Sequence, residues 1–319
     1  MSKPWPPPQI PKIPTEIELS SNECKLVIFI GAGVSGLVGC PSWDEFANRA
    51  LEQLAGPLQH ISYSDIQQLS HLDAKKRLSI AFQIADSEGY QFDYEALVEP
   101  RPGKESKIYD YIKKIGCVYV TTNYDRFLDA STLSLSGTSD GGTAASQVRP
   151  RPELICRPDQ FMPSALQKPG TVVHLHGSIE DPKRMIITTS DYLRHYTDEH
   201  VIMFLGDLFK TRTVLFVGYG LEETEILEHI LRKGMPRDDS IKRRFMLYGF
   251  YSHQEKTFNH LYEYYRKSFG VYLCHFFLDH LDRKQLESIF QDWSHKLTVG
   301  APLLSEDLKI VMEAIREKP

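Results

Sequence analysis

A chain of 319 residues is long enough to bury a substantial core, as one large domain or two small ones. With 41% hydrophobic and 25% charged residues and a net charge of −5, it has the composition of an ordinary globular protein, and no direct specific nucleic-acid binding is expected. No apolar run approaches the roughly 20 residues of a spanning helix, and the N-terminal MSKPWPPPQIPK lacks the apolar core of a signal peptide. The expected location is therefore cytoplasmic, with no membrane association.

Residues 1 to about 22 form a proline-dense arm, PWPPPQIPKIP, which is expected to be extended, either as a loose tail or as a docking arm carrying Trp5 and Ile10. Lys25 to Ile30 is a Val- and Ile-rich run that stops at Gly31, as a strand buried on both faces does. Gly31, Gly33 and Gly36 then fall as G-x-G-x-x-G, a spacing that lets backbone N–H groups approach a pyrophosphate. A dinucleotide is the ligand this suggests, although glycines after a strand also serve a simple tight turn. The continuation departs from a conventional hydride-transfer domain, because EQLAGPLQHISYSDIQQL contains no clean second strand.

A helix opens at Ser42, with Trp43, Phe46, Ala50 and Leu54 at helical spacing. A helical stretch begins near Ser64 and ends at Gly89, and Lys107 to Ile115 reads as a further helix closed by Gly116. These segments, about 48–115, are expected to form a small helical cap. Cys117 to Thr121 is a second buried strand and runs into Thr122-Asn123-Tyr124-Asp125, where open α/β sheets place their ligands. About 131–150 is rich in Ser, Thr and Gly and reads as a mobile loop, a plain insertion or a segment that closes over a site.

Thr171 to Leu175 is a third strand, and its alternation puts His174 and His176 on one face. Thr213 to Val217 is a fourth, ending in Gly218-Tyr219-Gly220 and followed by a helix over Glu222 to Arg232. Arg243 to Phe250, a helix around Lys256 to Ser268, the strand GVYLCHFFL and the helix DRKQLESIFQDWSHKL continue the alternation. Ser305 to Glu317 reads as a terminal amphipathic helix, packed on the body or offered to a partner. The predicted fold is a Rossmann-like, doubly wound parallel α/β sheet with every loop candidate on one edge.

The segments GAGVSGLVGCPSW, TTNYD, HLHGSI, ITTSDY and VLFVGYGLEETEI, in this order over roughly residues 25 to 280, resemble the sirtuin-like NAD-consuming family, in particular its bacterial antiviral-defence branch. The resemblance implies a catalytic domain over 23–298, flanked by the arm and a C-terminal segment at 299–319. It implies that Gly31, Ala32, Gly33 and Ser35 hold the pyrophosphate of NAD. Asn123 and Asp125 border the nicotinamide ribose, His176 acts at the ribose hydroxyls, and Gly218 and Tyr219 lie under the adenosine side. By the register of the His-Gly-Ser motif, His176 is the catalytic histidine and His174 is expected to be dispensable.

Two departures bear on the chemistry. Deacylating sirtuins carry a four-cysteine zinc module after the His-Gly motif, whereas IEDPKRMIITTSDY contains no cysteine. The five cysteines, Cys24, Cys40, Cys117, Cys156 and Cys274, include no C-x-x-C pair, so neither disulfides nor structural zinc are expected. The family's Gly-Ile-Pro-Asp-Phe-Arg is here Gly39-Cys40-Pro41-Ser42-Trp43-Asp44. Water becomes the favoured acceptor of ADP-ribose. The implied activity is an NAD hydrolase that depletes NAD during phage infection. The alternatives are a protein deacylase, an ADP-ribosyltransferase or a non-catalytic NAD-binding scaffold. A homo-oligomer is expected. So is a separate regulatory partner, such as an FtsK/HerA-like ring ATPase or an Argonaute-type protein, because no P-loop or second sensor domain is legible.

Overall fold

The computed structural model describes residues 9–55, 61–129, 153–219, 242–297 and 299. Within them lies a seven-stranded, wholly parallel sheet formed by β1 (Leu26–Ile30), β2 (Val118–Thr121), β3 (Leu154–Ile155), β4 (Val172–His174), β5 (Thr213–Val217), β6 (Arg244–Phe250) and β7 (Val271–Phe277). The spatial order is β3-β4-β2-β1-β5-β6-β7, so β2 to β4 lie on one side of β1, with β4 between β2 and β3, and the chain then crosses to build β5 to β7 on the other. This is the doubly wound α/β arrangement expected from the alternation of strands and helices.

Burial on both faces explains the near-continuous apolar strands. Val27 and Phe29 of β1 face a layer that includes Phe161, Leu166 and the helix α9 (Glu199–Thr211), through Val201, Phe204, Leu205, Leu208 and Phe209. Leu26, Ile28 and Ile30 face the opposite layer, made by α1 (Thr15–Asn22), α7 (Ile108–Ile115) and the last described helix, α11 (Gln285–Lys296), which contributes Ile289, Phe290 and Trp293. Strand register makes the carboxyl ends level. Ile30 pairs with Thr121 on one side and Val217 on the other, and Thr121 pairs with His174. Each predicted site residue therefore leaves the same sheet edge.

The cap comprises α3 (Trp43–Ala55), α4 (Tyr63–Leu69), α5 (Ala74–Glu88) and α6 (Tyr94–Val98). The single helical stretch expected from Ser64 to Gly89 is two helices. Ser62 and Asp65 form a capping box at the start of α4, and Asp73 accepts from the Lys76 amide at the start of α5, 3.0 Å away, so polar side chains restart the helix where a hydrophobic pattern alone reads through. Gly89 and Gly116 close α5 and α7 in the left-handed conformation, as their positions predict.

Other elements also differ from the sequence reading. The expected extended arm ends at Pro14. Its carbonyl accepts from the Ile17 and Glu18 amides, and Thr15–Asn22 is helical because Ile13 and Ile17, four residues apart, both reach the core. Residues 9–11 lie on the chain's own α11, where Trp293 Nε1 donates to the Pro11 carbonyl over 3.0 Å and Gln285 Nε2 donates to that of Gln9 over 3.4 Å. β3 is a two-residue edge strand, too short to show a period. The reading assigns no element to 189–211, which contains α8 (Thr189–Thr197) and α9. Between β6 and β7 runs α10 (Glu255–Phe269), as expected. The mobile loop expected at 131–150, the helix at Glu222 to Arg232 and the terminal helix at Ser305 to Glu317 lie outside the described residues.

Where β1 and β5 end, their loops touch backbone to backbone. Gly33 N–H donates to the Gly218 carbonyl over 2.8 Å and Gly31 N–H to that of Val217 over 3.0 Å. A Cβ on Gly218, whose φ is +61°, would sit 2.5 Å from the Val34 nitrogen. Gly218→Ala is therefore expected to destabilise the fold by about 2 kcal/mol or more, the sum of a left-handed non-glycine residue and an overpacked contact. Urea unfolding followed by circular dichroism measures it.

Candidate functional site

The loop after β1 is short. Ala32–Ser35 makes one α-helical turn, α2, Gly36–Val38 tightens to a 3-10 turn, and Gly39 at φ +94° reverses the chain toward Cys40 to Trp43. A Cβ on Gly39 would meet the Arg101 carbonyl at 2.8 Å, so this reversal needs glycine. The reversal turns Cys40, Pro41, Ser42, Trp43 and Phe46 back over the strand ends. Facing them are Thr122, Asn123, Tyr124 and Asp125 of the loop after β2, with Ala32 and Ser35 between. Together these residues line a cleft.

Its polar floor is one network. The Asn123 amide nitrogen donates to Ser35 Oγ over 2.6 Å and to the Gly31 carbonyl over 3.1 Å, so both its hydrogens are committed. What Asn123 can offer a bound molecule is the acceptor Oδ1. Ser35 Oγ donates to Asp125 Oδ2 over 2.6 Å and is 2.9 Å from the Tyr109 hydroxyl. The Asn123 main chain is held as well, its N–H donating to Thr121 Oγ1 over 3.0 Å while that hydroxyl donates to the Ile30 carbonyl. Burial pushes the Asp125 carboxyl above its ordinary value despite the hydrogen bond from Ser35, and pushes the Tyr109 phenol far up, with the Asp125 charge adding to the effect.

Of the residues predicted from sequence, Ala32, Ser35, Asn123 and Asp125 meet in this cleft. His176 does not line it. Strand β4 stops at His174, so the alternation that would put both histidines on one face ends there, and Leu175-His176 turns away at Gly177, φ +80°. The His176 ring is fully buried, with Nε2 2.8 Å from the Tyr196 hydroxyl and Nδ1 3.4 Å from that of Tyr192 on α8. Burial, then the neighbouring His195 and Lys75, hold it well below its ordinary value, so it is neutral. His174 instead faces the loop after β2, between the Asn123 carbonyl and Asp129.

Gly31, Gly33, Gly218 and Tyr219 are also together, but packed on one another. A Cβ on Gly31 would meet the Tyr219 ring at 2.6 Å, and the Tyr219 ring lies 5.3 Å from that of Phe29 in the core. The space these glycines leave is filled by the loop after β5, whereas Gly36 faces open space. The polar floor thus suits a ribose bearing hydroxyls. The Gly31 and Gly33 amides are already taken by the Val217 and Gly218 carbonyls, so in this conformation these two are not offered to a pyrophosphate. Sequence reasoning missed Tyr109, which sits on the apolar face of α7 at ordinary core spacing, and Tyr196, for which no signal exists. Among the described residues, no three His, Cys, Asp or Glu side chains gather in a group able to hold a metal, and no helix is long and apolar enough to cross a membrane.

Residues 117–266 match the SIR2-like domain family. The chain is 25% identical over 225 residues to the Defense-associated sirtuin 2 of Bacillus subtilis, an alignment that covers 66% of this chain and 19% of that protein. The chain thus spans about a fifth of the length of this curated relative. Over these residues the chain is similar to the SIR2-like family, a family of NAD-dependent enzymes, in keeping with the resemblance carried by its motifs.

Ser35→Ala removes the donor to the half-buried Asp125 carboxyl and one acceptor of the buried Asn123 amide at once. The expected cost is about 1–3 kcal/mol, with the Asp125 carboxyl moving further up, since the Ser35 hydrogen bond opposes that rise. Chemical denaturation and a carboxyl-carbon NMR titration of Asp125 check the two parts.

Proposed function

We propose that the protein is an NAD hydrolase, releasing nicotinamide and ADP-ribose, and that it serves as the NAD-depleting effector of an antiphage-defence system. The observation that carries this reading is the buried Asn123, locked through both amide hydrogens so that its remaining function is an acceptor, beside the Asp125 carboxyl at the level strand ends. Nicotinamide leaves NAD as a neutral molecule from a cationic nitrogen, and this departure needs no general acid. The charge left behind develops on the ribose as an oxocarbenium ion. Acceptors fixed before the reaction stabilise such a charge without reorganising, and Asn123 Oδ1 can also hold the attacking water. The water oxygen bonds to the anomeric carbon and its proton is lost to a base.

The family motif gives the base role to His176, acting at a ribose hydroxyl. A neutral imidazole has the free lone pair this needs. Its ring is engaged by Tyr192 and Tyr196, so action on the substrate requires it to turn out of that aromatic box. The relative's printed name supports the defence setting. Assembly as a homo-oligomer, control by a separate partner and the absence of zinc belong to the same proposal.

Incubating the purified chain with NAD, with and without an acylated peptide, is the test. Nicotinamide release without peptide is expected. Release only with peptide would make the protein a deacylase, and binding without turnover a scaffold. Asn123→Ala and His176→Ala are each expected to lower the rate about 100-fold or more while the circular dichroism spectrum is retained. Zinc near one equivalent in the same sample would restore the deacylase reading.

A further inference from the structure

His174, the last residue of β4, is fully buried, and both of its ring nitrogens face acceptors. Nδ1 is 3.2 Å from the Asn123 main-chain oxygen and Nε2 is 2.8 Å from Asp129 Oδ1. A carbonyl and an ionised carboxylate only accept, so satisfying both demands an N–H on each nitrogen, which is the imidazolium. A neutral ring would leave one of the two contacts as lone pair against lone pair. Deprotonation therefore releases either Asn123 or Asp129.

The surroundings agree. Burial alone would lower the affinity of His174 for its proton, but the hydrogen bond and charge of Asp129, helped by the Asn123 carbonyl and Asp125, outweigh it and hold the ring above its ordinary 6.5. Lys113 on α7 and the Cys156 thiol next to β3 also feel the Asp129 charge. The thiol is pushed up to about 11 by burial, Asp129, Asp181 and Glu180.

We propose that His174, as an imidazolium paired with Asp129, is the positioning group of the cleft, fixing through the Asn123 carbonyl the loop that presents Asn123 Oδ1 and Asp125. This inference rests on the hydrolase reading for its kinetic consequence, and it replaces the expectation that His174 is dispensable. His174 touches no substrate in this role. It acts through Asn123, and it makes the position of that residue depend on pH.

The experiment follows nicotinamide release from NAD by the full chain between about pH 5.5 and 9.5. It compares the unaltered protein with Asp129→Asn and His174→Gln. In parallel, the NMR shift of the Asn123 side-chain amide, assigned by its loss in Asn123→Ala, is followed over the same range. The unaltered protein is expected to lose kcat on the alkaline side, with a midpoint above 6.5. Asp129→Asn moves that midpoint to lower pH with KM changed less than about threefold, and His174→Gln lowers kcat about 10- to 100-fold without any such midpoint. Variants that share the unaltered pH profile overturn the inference and leave the hydrolase reading standing. A protein that releases no nicotinamide at any pH overturns the hydrolase reading instead. The NMR titration then decides: an Asn123 amide whose shift follows a midpoint moved by Asp129→Asn upholds the positioning role, and one indifferent to it removes the role. Should His174→Gln fail to fold, the isosteric Asp129→Asn decides alone.

Discussion

The Ser35 hydroxyl is the point on which the cleft depends. Two other pieces of chain, the loop after β2 and α7, meet at this one oxygen: Asn123 donates to it, it donates to Asp125, and the Tyr109 hydroxyl stands 2.9 Å away. Ser35, Asn123 and Tyr109 are buried and cannot readily exchange a partner for water, so a hydrogen bond worth about 1 kcal/mol in net stability becomes expensive to leave unmade. Ser35 can be there only because α2 is a single turn. A longer helix after the glycine loop would carry the chain away from the strand ends, whereas the reversal at Gly39 brings Cys40 to Trp43 back as the facing wall.

The cap is held to this floor by apolar packing more than by charge. Phe46, Leu51, Leu78 and Leu97 of the cap form one buried cluster with Tyr124 from the loop after β2 and with Ile179, Met185 and Ile187 from the loop after β4. Burying a side chain of that size contributes about 1.5–3 kcal/mol. The ion pair that crosses the same boundary, Arg126 with Glu95, is exposed, and a pair of that kind contributes about 0–1 kcal/mol. The placement of the cap over Asn123 and Asp125 should therefore be insensitive to salt.

The fold was legible because a strand buried on both faces needs β-branched and aromatic residues and ends abruptly at polar or glycine residues, as Leu26–Ile30 and Thr213–Val217 do. Asn123 and Asp125 were legible for the same reason, being polar residues just past such a run, whereas Ser35 was reached only through the family resemblance, which gave it a pyrophosphate rather than this network. Tyr109 was not, since its place on α7 repeats the apolar spacing of Ile108, Ile112 and Ile115 and nothing in that pattern distinguishes a core tyrosine from one whose hydroxyl joins a site. The glycines carried a double meaning. Gly31 and Gly33 are required by the approach of Gly218 and Tyr219, a contact between two loops that no local pattern records.

The two histidines at the end of β4 show how burial sorts chemistry. Desolvation is the largest influence on both rings and acts downward on both. His176, among tyrosines, is pushed well down by burial and then by His195 and Lys75, and stays neutral. His174 meets Asp129 and keeps its proton. Its contribution to stability is then complete below the ordinary 6.5 and fades as pH rises through its higher folded value. An imidazolium cannot accept a proton, and a neutral imidazole can. Of two histidines two positions apart, one ending β4 and one in the turn after it, only His176 has the charge state of a base, while His174 has that of a donor able to hold a carbonyl in place.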